Sequence, residues 1–255
     1  MNRAVLIQTP AKFFQVACIF CDSCISMDFA DKVYVVTDYP DCQSYLPDKC
    51  IGIQLEEDYQ FSSNMLKALP LVKEDIFLVC CEDHIPSEAE DAKGLLECFQ
   101  FVKDNEDVGF LRLTCHDKIP RLKPNKSFSP VSKGYRYYVT LEFGIWRKEF
   151  FKTALKDGDD AWLFETKGSR RCSKYSNLKS YCTDKLIFRH RNFLRKGELY
   201  RNQYIDYAVE HKLSLPCARR VYYKKKEISF AEYLELKGYS SEVSPDGSVV
   251  VKDNP

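Results

Sequence analysis

Residues 75–84 read Asp-Ile-Phe-Leu-Val-Cys-Cys-Glu-Asp-His. The run Ile76 to Cys81 is apolar throughout. Such runs, without alternation, mark strands covered on both faces, as in parallel sheets. Two acids follow at once. Upstream, Ala4 to Thr9 is a short apolar run stopped by Pro10, and Phe13 to Ile25 has helical spacing. Lys32 to Asp38 and Cys50 to Leu55 read as strands, and Ser62 to Leu69 as a helix with Ser62 as N-cap. Downstream, Ser87 and Glu90 form a capping-box pattern ahead of Leu95, Leu96, Phe99 and Val102. Val108 to Thr114 is the next strand. The order β-α-β-β-α-β-α-β predicts an α/β protein with an open, mainly parallel sheet flanked by helices.

The second half is less regular. Residues 117–134 hold three prolines and four lysines and read as a loop. Tyr135 to Phe143 alternates like a strand, and Trp146 to Leu155 has helical spacing. Trp162 to Arg171 begins a helix after the turn Asp157-Gly158-Asp159-Asp160, and 185–190 reads as a late strand. Residues 198–212 and 229–237 predict helices, with a polar tail from Ser240. This divides the chain into a main domain, 1–195, and a helical C-terminal extension, 196–255.

Composition narrows the function. The 255 residues are 45% apolar and 29% charged, with a net charge of +1. These are globular values, and they give no broad field for nucleic acid. No apolar run approaches the ~20 residues that span a bilayer. The N-terminus lacks a signal-peptide pattern, so a soluble, cytoplasmic chain is expected. The twelve cysteines then predict reduced, buried thiols. Cys18, Cys21 and Cys24, spaced three apart, present two readings. One is a thiol–metal site; the other is a packed helix face, which Phe14, Val16, Ile19 and Phe20 favour.

Ligands of open α/β sheets sit at the carboxyl ends of the strands. Those ends carry Thr9, Asp38, Glu82-Asp83-His84 and Glu142. The acidic pair suits a hard divalent cation, or alternatively complements the dipole of the next helix. Strand alternation would point His84 away from Asp83. Lys224, Lys225 and Lys226 read as a solvated cluster.

Several segments carry a resemblance as an ordered set over roughly residues 1–190. They are Phe61-Ser62-Ser63-Asn64-Met65-Leu66-Lys67-Ala68-Leu69, then IFLVCCEDHIPSE at 76–88, then Asp107-Val-Gly-Phe-Leu-Arg-Leu113. Gly144-Ile-Trp-Arg-Lys-Glu-Phe-Phe151 and Trp162-Leu-Phe-Glu165-x-x-Gly168-Ser169-x-Arg171 complete it. The set resembles small bacterial and viral glycosyltransferases of the GT-A fold, with Glu-Asp in place of Asp-x-Asp. The resemblance implies a mixed, GT-A-like sheet and transfer of a hexosyl or deoxyhexosyl group. The donor would be a nucleoside-diphosphate sugar, of UDP or GDP type by family frequency. The acceptor would be a glycan or glycolipid.

By that resemblance Thr9 and Asp38 hold base and ribose, and Ser62 and Asn64 face the nucleotide. Asp83 meets Mn2+ or Mg2+ on the diphosphate, Glu82 lies beside it or bonds the sugar, and His190 supplies a third metal ligand. Glu165 is the candidate base of an inverting transfer, which needs a carboxylate to take the acceptor's proton. Trp162 offers a face for an acceptor sugar, and Arg170 and Arg171 suit diphosphate oxygens. The competing reading pairs Glu165 with one of those arginines. Two other functions compete: a non-catalytic nucleotide- or carbohydrate-binding module of the same fold, and a thiol–metal protein built on Cys18, Cys21 and Cys24. A nucleotidyltransferase would want a Gly-rich basic loop after the first strand, which Gln8-Thr-Pro-Ala-Lys-Phe-Phe14 lacks.

Overall fold

A computed structural model describes residues 2–88, 92–114, 119–122, 126–184, 187, 189–192, 194–195, 198–199, 214–216, 220–223, 226–243 and 248–252. The chain begins with β1 (Ala4–Gln8), α1 (Phe14–Ser26), β2 (Lys32–Thr37), β3 (Cys50–Gln54), α2 (Phe61–Ala68) and β4 (Ile76–Val79). It continues through β5 (His84–Glu88), α3 (Ala92–Asp104), β6 (Val108–Arg112), β7 (Phe128–Pro130), β8 (Gly144–Arg147) and α4 (Lys148–Ala154). A continuous helical segment follows: α5 (Ala161–Leu163), a π-turn (Phe164–Gly168) and α6 (Ser169–Tyr175). Then come β9 (Lys179–Thr183) and β10 (Arg189–Asn192).

Eight strands form one sheet in the order β3-β2-β1-β4-β8-β6-β9-β7. β1, β2, β3 and β4 run parallel. β8 lies antiparallel between β4 and β6, and β9 runs parallel to β6. The sheet is therefore mixed. The chain leaves β1 toward β2 on one side and returns to β4 on the other, which makes a switch point beside β1.

Both sheet faces are covered, as the unbroken apolar runs require. On one face Val5, Ile7, Val33 and Val35 pack with Phe14 and Phe20 of α1 and Leu95 and Phe99 of α3. On the other, Leu6, Tyr34 and Val36 pack with Met65 of α2 and Phe150 and Phe151 of α4. The strand period of two sorts consecutive residues between two helix layers.

Several sequence expectations are corrected. Ser62 does not cap α2: Gln60 holds that position, and Ser62 is fully buried within the first turn. Ser87 does not cap α3 but lies in β5, which pairs antiparallel with β10; Glu90 lies outside the described residues. Tyr135 to Phe143 is a series of turns, buried over Tyr138 to Leu141 and at Phe143, rather than a strand. The strand is Gly144–Arg147, so Trp146 belongs to the sheet and the helix starts at Lys148. Arg147 fixes that strand by donating to the backbone oxygens of Val102 and Val108. The late strand is Arg189–Asn192, and Lys179–Thr183 is a strand the sequence did not announce.

The extension is not simply helical. Its described part holds Glu198–Leu199, Ser214–Pro216, Arg220–Tyr223, Lys226–Ser229, Ser240–Val243 and Ser248–Lys252 as strands. One helix, Phe230–Leu236, matches the expected 229–237 and carries a Ser229–Glu232 capping box. Most of the helix expected over 198–212, and Lys224 and Lys225, lie outside the described residues. Among the described residues, no helix is long and apolar enough to cross a membrane. None of the ten described cysteines is in a disulfide.

Gly144 lies against the Phe110 ring so closely that a Cβ there would overlap it. Gly144→Ala is therefore expected to cost about 1–3 kcal/mol by overpacking. Urea unfolding checks this; a midpoint equal to the parent's would contradict the contact.

Candidate active site

The carboxyl edge of the sheet gathers Thr9 after β1, Asp38 after β2 and the Cys81–His84 turn after β4. The His84 amide donates to the Cys81 oxygen at 3.2 Å, so the chain reverses at Glu82 and Asp83. Thr9 is buried, its hydroxyl 3.4 Å from the Pro10 oxygen, and beside Glu82 it favours the charged form of that carboxyl. Burial, reinforced by Asp83, pushes Glu82 up to about 8. Burial also raises Asp83, while His84 beside it pulls it back.

Asp38 Oδ1 accepts from the Ala11 amide at 2.6 Å. One oxygen of the expected ribose ligand thus shapes the loop after β1. Asn64 is buried and internally engaged: its amide donates to Asp58 Oδ1 at 3.0 Å and to the Tyr59 oxygen at 3.2 Å. It also accepts from the Tyr59 amide at 3.1 Å. Asn64 therefore holds the 58–60 loop rather than presenting donors outward. Ser62 Oγ is buried without a hydrogen-bond partner.

Asp58 was missed in the sequence. Burial and the charge of Asp38 raise its carboxyl, and it in turn raises Glu82. Its signal was its place after the third parallel strand, at the same edge as Asp38.

A cavity of about 600 Å³ adjoins this edge, lined by Cys81, His84, Arg112, Glu142, Trp162 and Glu165 among others. Glu165 and Trp162, which the sequence singled out, thus meet the segment after β4. Glu165 sits in the π-turn, a geometry frequent at functional sites. Its Oε1 accepts from Thr140 Oγ1 at 2.5 Å and the Leu141 amide at 2.8 Å. Phe164, next to it, is fully buried, whereas Trp162 is 57% exposed. Arg112 is buried, its guanidinium 3.8 Å from Glu142 and donating to the Tyr137 oxygen at 2.7 Å.

Arg171 does not face this cavity. It donates to the Ala154 oxygen and pairs with Asp159 at 2.7 Å, tying the end of α4 to α6. The reading that pairs Glu165 with Arg171 is thereby replaced. Arg170 is exposed and lines a separate cavity beyond Trp162; neither that lining nor the one with Glu165 includes Thr9, Asp38, Glu82 or Asp83. Asp160 caps α5, accepting from the Leu163 amide at 2.6 Å.

The metal expectation shifts. Donor atoms of Cys81, Asp83 and His84 lie within 4.8 Å of one another, the one such group among the described residues. His84 Nε2 stands 3.9 Å from Asp83 Oδ1, not turned away from it. The backbone puts His190 opposite Pro86, and its side chain lies outside the described part. A carboxylate, an imidazole and a thiol fit a borderline divalent cation better than Mg2+. Cys18, Cys21 and Cys24 form no such group; all three are buried in the core, and burial raises Cys21 and Cys24 well above the usual thiol value.

No family model matches the chain, and no curated protein matches its sequence. Solved structures do. A 1–349 fragment of TarS from S. aureus is similar with a TM-score of 0.53 and 14% identity, over 75% of this chain and 60% of that one. The mannosyltransferase PcManGT from Pyrobaculum calidifontis, solved with GDP-Man and Mn2+, gives 0.52 and 14%, over 81% and 61%. A UDP-glucose pyrophosphorylase from Acinetobacter baumanii gives 0.50 and 9%, over 75% and 88%. The chain spans about three fifths of the first two. At these identities the likeness is one of fold: a GT-A-like α/β sheet flanked by helices.

The raised carboxyl of Glu82 makes a signed prediction. Its folded value is about 8 against 4.5 for a free side chain. The associated stability is fully present below the unfolded value and lost as pH rises through the folded one. Glu82→Gln should remove this loss. Between about pH 5 and pH 8.5 the parent's denaturation midpoint should fall relative to the variant's. Parallel profiles would rule out the buried carboxyl.

Proposed function

We propose that this chain is a glycosyltransferase that moves a sugar from a nucleoside-diphosphate sugar to a glycan or lipid-linked acceptor, with inversion. One observation carries the reading. Glu165, held at Oε1 by two donors, shares a cavity with Trp162 and with the turn after β4.

The donor nucleoside lies over Thr9, Asp38 and Asp58, at the switch point beside β1. Its diphosphate approaches Asp83, and Glu82 sits behind it. A divalent cation at Asp83 would offset the diphosphate charge. The mannosyltransferase of like fold was solved with GDP-Man and Mn2+, which supports a nucleoside-diphosphate sugar with a divalent cation as the reading here.

The acceptor hydroxyl enters from the Trp162 side. Its oxygen attacks the anomeric carbon, the bond to the diphosphate oxygen breaks, and the nucleoside diphosphate leaves with the electron pair. The proton passes to Glu165. The Thr140 hydroxyl and Leu141 amide fix the carboxylate's direction, so no rotamer search precedes transfer. The half-exposed indole of Trp162 gives the acceptor ring an apolar face.

Transfer separates this reading from a binding module. Glu165→Gln keeps size and shape but cannot take the proton. Turnover should fall at least a hundredfold, about 2.7 kcal/mol of barrier, while UDP or GDP with Mn2+ still raises the melting temperature. More than about a tenth of parental turnover, under about 1.4 kcal/mol, would move the base elsewhere.

Asp83→Asn should raise the Mn2+ concentration needed for half-maximal turnover and leave the melting temperature without nucleotide or metal close to the parent's. An unchanged Mn2+ dependence would free Asp83 from the cation.

A further inference from the structure

A second cavity, of about 690 Å³, lies on the far side of Trp162. Four cations line it: Lys133 and Arg136 from the turns before β8, and Lys167 and Arg170 from the π-turn and α6. All four are exposed, and no acid is among the lining residues. Among the described residues the ion pairs use other side chains.

This concentration is local, because the whole chain carries only +1. Four like charges around one concavity repel, and the arrangement is relieved by an anion. Lys167 and Arg170 stand three apart and so share a helix face. The Arg136 guanidinium lies 5.3 Å from the Tyr137 ring centre and 5.9 Å from that of Trp162, within cation–π range. The basic wall is thereby joined to the aromatic one.

Tyr135 and Trp162 line both this cavity and the one containing Glu165. A chain-like ligand with a hydroxyl at Glu165 would therefore run past Trp162 and lay its next units among the four cations. We propose that the cavity is the acceptor's outer subsite, and that the acceptor is an anionic glycan bearing phosphodiester or carboxylate groups beyond the sugar that reacts. This rests on the transferase reading for the word acceptor; the anion site itself stands on the cavity. A concavity suits a discrete charged unit better than it suits the plane of a bilayer.

The chain has two tryptophans, and Trp146 is fully buried. Fluorescence quenching at Trp162 therefore reads binding in the two cavities it lines without any turnover, and the basic-wall variant assigns the signal to this one. The full chain is titrated with glycerol-phosphate oligomers, with oligogalacturonate and with neutral malto-oligosaccharide of equal length. At least one anionic oligomer should bind at least tenfold tighter than the neutral one, and which does so identifies phosphodiester or carboxylate. Lys133→Glu combined with Lys167→Glu should weaken that binding at least tenfold. Both positions are on the surface, and an unchanged melting temperature controls for folding.

Equal binding of charged and neutral oligomers, or equal binding by parent and variant, overturns the proposal. So does binding of phosphatidylglycerol vesicles, lost in the variant, without any oligomer binding; the patch would then face a membrane. If nucleotides fail to raise the melting temperature while the anionic oligomer still binds, the transferase reading fails and the anion site remains.

Discussion

Among the described residues Trp146 is the largest fully buried side chain, and its packing sets where the carboxylate of Glu165 emerges. The ring is fully buried, with centroids 4.4 Å from Phe110, 5.0 Å from Phe151 and 5.7 Å from Phe164. Phe164 also meets Phe61 of α2 at 5.1 Å. The π-turn is thus seated from below by a strand residue and from the side by two helices. Glu165 follows Phe164 directly, so its backbone inherits that seating. The indole nitrogen has no hydrogen-bond partner, a cost the core bears. Shape and area are what the site draws from this residue.

The other half of the site is set by charge. Asp38, Asp58, Glu82 and Asp83 converge at one sheet edge, and three of them are raised by burial. Holding acids together out of water opposes folding. The protein tolerates this because Asn64 and the Ala11 amide each satisfy one of these carboxyls, while Thr9 beside Glu82 favours its charged form. The loops after β1 and β3 are consequently fastened to the acids they carry.

The N-terminal half was legible because its strands are long apolar runs whose neighbours in sequence are also neighbours in space. β1, β2, β3 and β4 fell where their residues said. β5 did not, because its partner is β10, far along the chain, and nothing local marks Ser87 as strand rather than cap. His84 departs from strand alternation for a related reason: the turn at Glu82 and Asp83 resets the period. Trp146 looked helical since a strand of four residues leaves too short a pattern to read. In the site, Glu165 and Trp162 stood out by chemistry. Thr140 and Leu141, which orient Glu165, did not, because their role arises only when turns from 135–143 fold against the π-turn. Arg171 illustrates the reverse: a residue suited to phosphate is used up by a carbonyl and a buried acid.

The position of β8 has a consequence for biosynthesis. β4 is complete at Val79, yet the strand that covers its outer edge begins at Gly144. On the ribosome the parallel unit of β1 to β4, with its two helices, is made first. It then waits with an open, apolar edge until β8 arrives, and β6 cannot fill the gap since it pairs with β8 instead. The half that carries the acids is therefore born before the half that carries Glu165. In the interval between them the nascent chain carries an unpaired strand edge, the kind of surface that templates misassociation.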